Sequence, residues 1–94
     1  YRNNFNIKCS NVILYNHECL KRPDDFLSKK IINNVNRIYN LIKNNLPFKP
    51  LIVGNIYSTR DWSSSYDIVE GLWKVIINKP DDYILASGKN YTVN

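Results

Sequence analysis

Methionine is absent from the 94 residues, and glycine and cysteine are scarce, with three and two copies. The shortage of glycine and cysteine excludes collagen-like repeats and disulfide-rich scaffolds. No apolar run approaches the length of a membrane span, and no charged and then apolar signal segment opens the sequence. A nascent chain starts with methionine, so we expect a piece of a longer protein that does not associate with membranes.

Metal-ligating and nucleophilic side chains are equally sparse. Cys9 and Cys19 flank a single histidine, His17, and these three residues do not have the spacing of a metal-ligand set. The sequence therefore predicts no metal site, and we expect reduced thiols in a cytoplasmic protein. The sequence also lacks a Ser-His-Asp set and a phosphate-binding P-loop, which leaves hydrolytic and kinase chemistry without support.

Positive charge is concentrated in the first half of the chain. Residues 1–50 hold nine basic and three acidic side chains, a balance of +6, whereas residues 51–94 hold four and five, a balance of −1. The basic half indicates an anionic partner, such as a nucleotide, a nucleic acid or an acidic surface. A solvated basic face is the alternative. No nucleic-acid-binding motif is present, so we rank nucleic acid low among these partners.

The apolar pattern alternates between extended and helical periods. Helices are predicted over 25–43, where Asp24 and Asp25 lie near the start, and from Ser63 or Ser64 onward, where Ser64 and Asp67 have capping-box spacing. The second helix has an apolar face composed of Val69, Leu72, Trp73, Ile76 and Ile77. Strands are predicted over 7–15, 51–53 and 83–87, with a further extended stretch over 57–62. This strand-helix-strand-helix-strand order predicts a single α/β segment over residues 1–94.

Two groups of polar side chains are candidates for a ligand site. Asn16, His17 and Glu18 follow the first predicted strand, and ligands of open α/β sheets bind outside the carboxyl ends of the strands. Arg22 and Lys30 belong to a basic cluster around the next loop and helix start, which suits a pyrophosphate. The alternatives are a capping loop with an exposed histidine and a solvated basic surface.

A third candidate is Arg60, followed by Asp61 and Trp62 at a strand–helix junction. We expect the arginine to reach a phosphate while Asp61 holds it and Trp62 packs beneath. A structural ion pair beside a core tryptophan is the alternative. Tyr39 and Lys43 have the spacing of the acid/base pair of short-chain dehydrogenases, but no glycine-rich nucleotide loop precedes them, so we interpret them as structural.

Several segments, taken in order, resemble the GDP-mannose 4,6-dehydratase family. Residues 14–18 (Leu-Tyr-Asn-His-Glu) resemble its Leu-Phe-Asn-His-Glu signature, and 22–30 resemble the stretch after it. Residues 54–62, with Gly-Asn and then Arg-Asp-Trp, and 67–73, with Asp-x-Val-Glu-x-x-Trp, are similar to two further family motifs. Residues 80–88 resemble its Pro-x-Asp-Tyr-Val-Ile-Ala-Thr-Gly motif. Together these motifs are specific and cover nearly the whole chain.

The resemblance implies a partial Rossmann-like sheet of an extended short-chain dehydrogenase, together with part of its substrate-binding region. Such enzymes use NADP to convert GDP-mannose to GDP-4-keto-6-deoxymannose. By position, the resemblance implies that Asn16, Lys30 and Arg60 contact the nucleotide sugar and that His17 and Arg22 contact NADP. The glycine-rich loop and the catalytic residues of the family would lie upstream. We therefore expect no catalytic residue in this segment, and an oligomer or a complementing N-terminal segment as its partner.

The sequence departs from the family pattern at three places. Residues 44–50 form a loop that is longer than usual and contains two prolines. Cys19 and Leu20 replace Ser-Pro after the Asn-His-Glu signature, and residues 63–66 read Ser-Ser-Ser-Tyr where the family has Gly-His-Ala-Lys. These changes keep a second interpretation open, in which the protein is a non-catalytic relative used for binding or assembly.

Overall fold

A computed structural model describes residues 1–94. It is an α/β structure whose six short strands form three two-stranded sheets. The elements in chain order are α1 (Arg2–Phe5), β1 (Asn11–Leu14), β2 (His17–Glu18), α2 (Leu27–Lys43), β3 (Thr59–Arg60), β4 (Ser63–Ser64), α3 (Ser65–Ile76), β5 (Asp82–Leu85) and β6 (Tyr91–Thr92). The predicted α/β class is confirmed, but the element order is more broken than the five-element order predicted from the sequence.

The first and last predicted strands pair with each other. β1 and β5 run parallel, with Val12 opposite Tyr83 and Leu14 opposite Leu85. The Tyr15 amide N–H donates to the Leu85 carbonyl at 3.0 Å and continues the ladder one residue further. Parallel strands need a long crossover connection, and here α2 and α3 both lie in the chain between the two strands. Their carboxyl ends therefore meet at one edge, just before Asn16.

Helix α3 packs against β5 through a small part of its surface. Ile68 and Val75 are each 6% exposed, and they are the only buried hydrophobic residues of the chain. A Cβ atom on Gly71 would lie 3.0 Å from Leu85 Cδ1, so this glycine permits the close approach of the helix to the strand. The predicted apolar face is only partly buried, because Val69, Trp73 and Ile76 are each more than 60% exposed.

The serine cap of α3 was predicted correctly, although the full capping box does not form. Ser64 is the N-cap residue, and its Oγ accepts a hydrogen bond from the Tyr66 amide N–H at 3.2 Å. This bond satisfies one of the amide donors that the first helical turn leaves unpaired. Asp67 makes no return bond to Ser64 but lies in the first turn, near the positive end of the helix dipole.

Helix α2 begins two residues later than predicted and carries no acidic cap. Its N-cap is Phe26, while the Asp24 carboxylate accepts a hydrogen bond from Asn33 Nδ2 at 2.9 Å. The helix ends where Asn45 adopts a left-handed conformation with φ of 54°. The Leu46 N–H then donates to the Leu41 carbonyl at 2.9 Å, which closes a Schellman motif.

The predicted buried strand over 51–53 is wrong. These three residues form no strand, and the Ile52 side chain is 81% exposed. A short apolar run becomes a strand only when a second strand is available to accept its hydrogen bonds. None of the strands of this chain lies beside it. The neighbouring prediction over 57–62 is met in part by β3, which pairs antiparallel with β6.

The chain is elongated and covers little of its own apolar surface. Its radius of gyration is 19.0 Å and its dimensions are 65 × 24 × 20 Å, whereas a compact domain of this length has a radius of gyration of about 12 Å. Only three residues are buried. No helix combines the length and the apolar character that crossing a membrane requires.

Candidate functional site

The loop after β1 meets the loop after β3 at one place on the surface. β2 pairs parallel with β4, with His17 opposite Ser63. The Asn16 carbonyl oxygen accepts hydrogen bonds from both the backbone N–H and the Oγ of Ser63, each at 3.1 Å. These contacts join residues that are 46 and 47 positions apart in the sequence, and two adjoining clefts lie beside them.

The first cleft has a volume of about 470 Å³ and is open to solvent. Its lining residues are Leu14, Tyr15, Asn16, His17 and Arg22. The His17 Nδ1 atom lies 2.9 Å from the Tyr15 carbonyl oxygen. Because a carbonyl oxygen can only accept, Nδ1 carries the proton, and Nε2 is left to meet a ligand. The cleft therefore combines an imidazole, a primary amide and a guanidinium.

The second cleft is smaller, about 160 Å³, and shares Asn16 and Arg22 with the first. The remaining lining residues are Glu18, Phe26, Leu27, Ser28, Arg60 and Trp62. Two arginines from opposite halves of the chain thus line one small cleft. An anion with two or more charged oxygens is the ligand class that such a pair of guanidinium groups recognises.

Arg22 is held between a carboxylate and an aromatic ring. Its Nε lies 3.1 Å from Glu18 Oε2, and its guanidinium carbon lies 3.7 Å from the centroid of the Phe26 ring. Ser28 Oγ donates to the same Glu18 oxygen at 2.7 Å. The Nε group is buried and does not meet hydrogen-bond angles, so the contact with Glu18 is an ion pair. This arrangement restrains the guanidinium of a residue that lines both clefts.

Arg60 is placed in the second cleft, but not by the residue expected to hold it. Its Nη1 donates to the Thr59 carbonyl oxygen at 2.7 Å. The Asp61 carboxylate instead accepts the backbone N–H groups of Ser87 and Gly88, at 2.8 and 3.1 Å. The predicted Arg60–Asp61 pairing is therefore wrong, because the Asp61 carboxylate binds the loop after β5 and forms no ion pair with Arg60. Trp62 does line the cleft beside Arg60.

Lys30 is the one predicted site residue that the structure leaves outside both clefts. It is exposed on the first turns of α2 and forms no ion pair within the chain. The neighbouring Lys29 Nζ turns back to the Leu20 carbonyl oxygen at 3.2 Å. Tyr39 and Lys43 are exposed further along α2 and line neither cleft.

Three lining residues of the second cleft were not selected from the sequence as members of the site: Phe26, Leu27 and Ser28. Glu18, Arg22 and Phe26 are spaced four residues apart, and the first two form an ion pair although no helix joins them. The regular spacing of an acid, an arginine and an aromatic ring was the available signal. Ser28 gave no comparable signal. Cys9 and Cys19 are both free, and no group of three His, Cys, Asp or Glu side chains is arranged to bind a metal ion.

The fold and the position of the clefts are those of α/β proteins that bind nucleotides. A basic, hydrogen-bonding cleft at the carboxyl end of a parallel strand is the usual ligand position of nucleotide-binding α/β proteins. The family model described as GDP-mannose 4,6 dehydratase matches residues 1–94, so the chain belongs to the GDP-mannose 4,6-dehydratase family.

Curated relatives agree with this assignment across kingdoms. "GDP-mannose 4,6 dehydratase 1" of Arabidopsis thaliana is 38% identical, over 99% of this chain and 25% of its own length. The Drosophila melanogaster and Homo sapiens proteins named "GDP-mannose 4,6 dehydratase" are 36% and 32% identical, each over 99% of this chain. The matches cover 22% and 24% of those two proteins. The chain thus spans about a quarter of the length of these relatives.

Proposed function

We propose that this chain is the part of an NADP-dependent nucleotide-sugar 4,6-dehydratase that contacts GDP-mannose and the cofactor. The observation that carries the proposal is the meeting of Asn16, His17, Arg22 and Arg60 around two adjoining clefts. GDP-mannose is the substrate class named for the relatives. The reaction converts it to GDP-4-keto-6-deoxymannose in a cytoplasmic enzyme with a Rossmann-like dinucleotide domain.

The second cleft is the proposed position of the sugar-nucleotide diphosphate. Arg22 and Arg60 offer two guanidinium groups there, and Asn16 lies where the two clefts join. Lys30 would contribute as an outer cation, since its flexible chain can move toward a bound anion without leaving water. We assign Asn16, Lys30 and Arg60 to the substrate on this basis.

The first cleft is the proposed position of the cofactor. Its guanidinium comes from Arg22 and can donate to phosphate oxygens, while the free Nε2 of His17 can accept from a carboxamide N–H or a ribose hydroxyl. This set of donors and acceptors therefore fits NADP, whose bound nicotinamide supplies hydride removal and return. The role of His17 and Arg22 is to bind and orient, and the Tyr15 carbonyl fixes the ring orientation of His17.

Neither cleft contains a pair suited to proton transfer in the reaction. Glu18 is the only carboxylate among the lining residues, and Arg22 and Ser28 hold it. We therefore propose that this segment contributes no catalytic residue and that the acid and base come from another part of the polypeptide. Tyr39 and Lys43 lie outside the clefts and keep their structural interpretation.

The uncovered apolar surface supports a complementing segment as the partner. Five exposed side chains on and just after α2 follow a 3-4-3-4 spacing, and each is more than half exposed: Ile32, Val35, Tyr39, Ile42 and Leu46. We call these residues the α2 seam. The helix carries four basic and no acidic side chains, so pairing two copies of it would bring like charges together. The charge favours a complementing N-terminal segment over self-association at this face.

A non-catalytic relative is the second candidate, and one observation favours it. Residues 63–66 differ from the family pattern, and two of them are committed to structure: Ser63 bonds the Asn16 carbonyl and Ser64 caps α3. In this alternative the clefts bind GDP-mannose without turnover.

The test is an assay of the full-length natural polypeptide that contains this segment. We expect conversion of GDP-mannose to the 4-keto product, detected by mass spectrometry. Arg60→Ala should weaken GDP-mannose binding about tenfold or more, the loss expected for one charge-assisted contact, while NADP content is retained. His17→Ala should lower NADP content and change GDP-mannose affinity less.

Arg37→Ala is the matched control, because Arg37 is an exposed arginine of α2 that lines neither cleft. It should leave both ligands unaffected. Binding of GDP-mannose without product would select the non-catalytic alternative. Equal loss of both ligands in Arg60→Ala would contradict the division of roles between the two clefts.

A further inference from the structure

Asp61 is the only buried charged residue of the chain, and the proposed binding roles do not use it. Its side chain is 4% exposed and follows β3 directly. One carboxylate oxygen, Oδ2, accepts the N–H groups of Ser87 and Gly88. The other, Oδ1, is buried without a hydrogen-bond partner, and no basic side chain pairs with the carboxylate. Burying a carboxylate without a cationic partner costs free energy, and the two N–H groups at Oδ2 offset part of that cost.

Both contacts of Asp61 fall in one loop, residues 86–90, which joins β5 to β6. Gly88 has a φ of 74°, a left-handed conformation that glycine adopts without strain. Ser87 Oγ accepts the Lys89 N–H at 3.1 Å and supports the same turn. Two consecutive backbone N–H groups therefore converge on one carboxylate oxygen, and such charge-assisted bonds are stronger than neutral ones.

The far end of this loop is tied to the same strand that Asp61 follows. β6 pairs antiparallel with β3, and Arg60 lies opposite Tyr91. Two further bonds extend this pairing, from the Val93 N–H to the Ser58 carbonyl at 3.2 Å and from the Asn94 N–H to the Ile56 carbonyl at 3.1 Å. The loop 86–90 is therefore attached on both sides of Arg60. At one end the β3–β6 pairing holds it, and at the other end the Asp61 carboxylate holds it.

Arg60 depends on these backbone attachments for its position. Its side chain is exposed, and its one hydrogen bond within the chain goes to the Thr59 carbonyl. No carboxylate holds its guanidinium, in contrast to Arg22. The direction in which Arg60 leaves the chain is thus set by the strand on one side and by Asp61 on the other.

We propose that Asp61 is a positioning residue: its carboxylate holds the loop 86–90 and thereby fixes Arg60 at the second cleft. This inference rests on the proposed function, in which Arg60 binds the sugar-nucleotide diphosphate. Asp61 itself touches neither ligand. Its contribution is to make the guanidinium position of Arg60 independent of ligand binding, which lowers the ordering cost when the anion binds.

The test compares three variants of the full-length protein. In Asp61→Ala, amide hydrogen exchange should accelerate at Ser87 and Gly88 and across the β3–β6 pair, and KM for GDP-mannose should rise about tenfold with little change in kcat or NADP content. Asp61→Asn keeps one carbonyl oxygen for the two N–H groups, so it should restore exchange protection and bring KM to within about threefold of wild type. Asp25→Ala is the control, since Asp25 is exposed and forms no ion pair.

Unchanged exchange in Asp61→Ala would overturn the inference, as would faster exchange with an unchanged KM. An equal fall in kcat and NADP content would also overturn it, because it would indicate general loss of structure. If wild-type protein neither binds nor converts GDP-mannose, the proposed function fails. The exchange data then test the attachment by themselves: faster exchange at Ser87, Gly88 and the β3–β6 pair in Asp61→Ala would support it, and unchanged exchange would overturn it.

Discussion

At the scale of single residues, the Arg22 side chain is already held in place before any anion binds. Glu18 takes up part of the charge and Phe26 supports the guanidinium face at 3.7 Å. A stacked and paired arginine has lost much of its side-chain freedom already, so binding an anion orders it little further. A lysine at this position could supply the charge but not the planar stacking.

A second residue-scale feature ties the start of the chain to β5. Arg2 Nη2 donates to Asp82 Oδ1 at 2.6 Å, and Asn11 Nδ2 donates to the same oxygen at 3.0 Å. The hydrogen bond from Arg2 and then that from Asn11 hold the pKa of Asp82 below its ordinary value of 3.8. A carboxyl group with a lowered folded-state pKa adds stability above its unfolded pKa and loses it as the pH falls through the folded value.

We therefore predict that Asp82→Asn slightly lowers the unfolding temperature of the full-length protein at pH 7. The difference from wild type should shrink as the pH falls below 3.8, since the wild-type carboxyl becomes protonated first in the unfolded state and, at lower pH, in the folded state. Asp81→Asn is the matched control, because its carboxylate lies farther from Arg2, at 3.5 Å, and should matter less. Thermal melts across this pH range test it. A difference of the same size at pH 7 and at pH 3 would contradict the ion-pair explanation.

The residue types of the site were readable from the sequence, but their mutual contacts were not. Asn16, His17, Arg22 and Arg60 were all selected, and all line the clefts. The partner assigned to Arg60 was wrong, since the Asp61 carboxylate accepts hydrogen bonds from the Ser87 and Gly88 N–H groups instead. The sequence contains no local signal for these contacts, because Asp61 and Ser87 are separated by 26 positions.

At the scale of secondary-structure elements, the cap of α3 is the clearest sequence-encoded feature. We predict that Ser64→Ala destabilises the full-length protein by about 1 kcal/mol, because the Tyr66 N–H loses its acceptor. Ser65→Ala is the matched control, since Ser65 is already inside the helix and alanine suits that position. Chemical denaturation measures both. Equal effects of the two substitutions would contradict the capping role of Ser64.

Long periodic elements were predicted well and very short ones were not. α2 and α3 have apolar residues at helical spacing over 17 and 12 residues, which is enough to show a period. β2 and β4 have two residues each, so no alternation can be read from them. They are defined by their pairing with each other, next to the hydrogen bonds from Ser63 to the Asn16 carbonyl. The apolar run at 51–53 shows the converse, since composition alone does not supply a pairing partner.

At the scale of the whole molecule, the exposed α2 seam is the surface at which we expect a complementing segment to pack. If a complementing segment covers the seam, Val35→Asp should bury a charge in the full-length protein and destabilise it by about 3 kcal/mol or more. Asn36→Asp introduces the same charge on the adjacent polar face and should cost much less. Denaturation of both variants tests this. Similar small effects would show that the seam stays exposed to water.

The two halves of the chain contribute to one site despite their different charge. The basic half supplies Asn16, His17 and Arg22, and the less charged half supplies Arg60. The second cleft takes its lining from both halves, which the β2–β4 pair holds together. A ligand that bridges them should stabilise this pairing, because it binds only the folded arrangement.

The central claim is that the two adjoining clefts bind GDP-mannose and NADP. The most direct measurement is amide hydrogen exchange of the full-length protein with and without GDP-mannose, at saturating NADP. The account predicts slower exchange over 16–28 and 59–64 on addition of GDP-mannose, with residues 32–46 of α2 and its end unchanged. Protection confined to other regions, with none in 16–28 or 59–64, would contradict it.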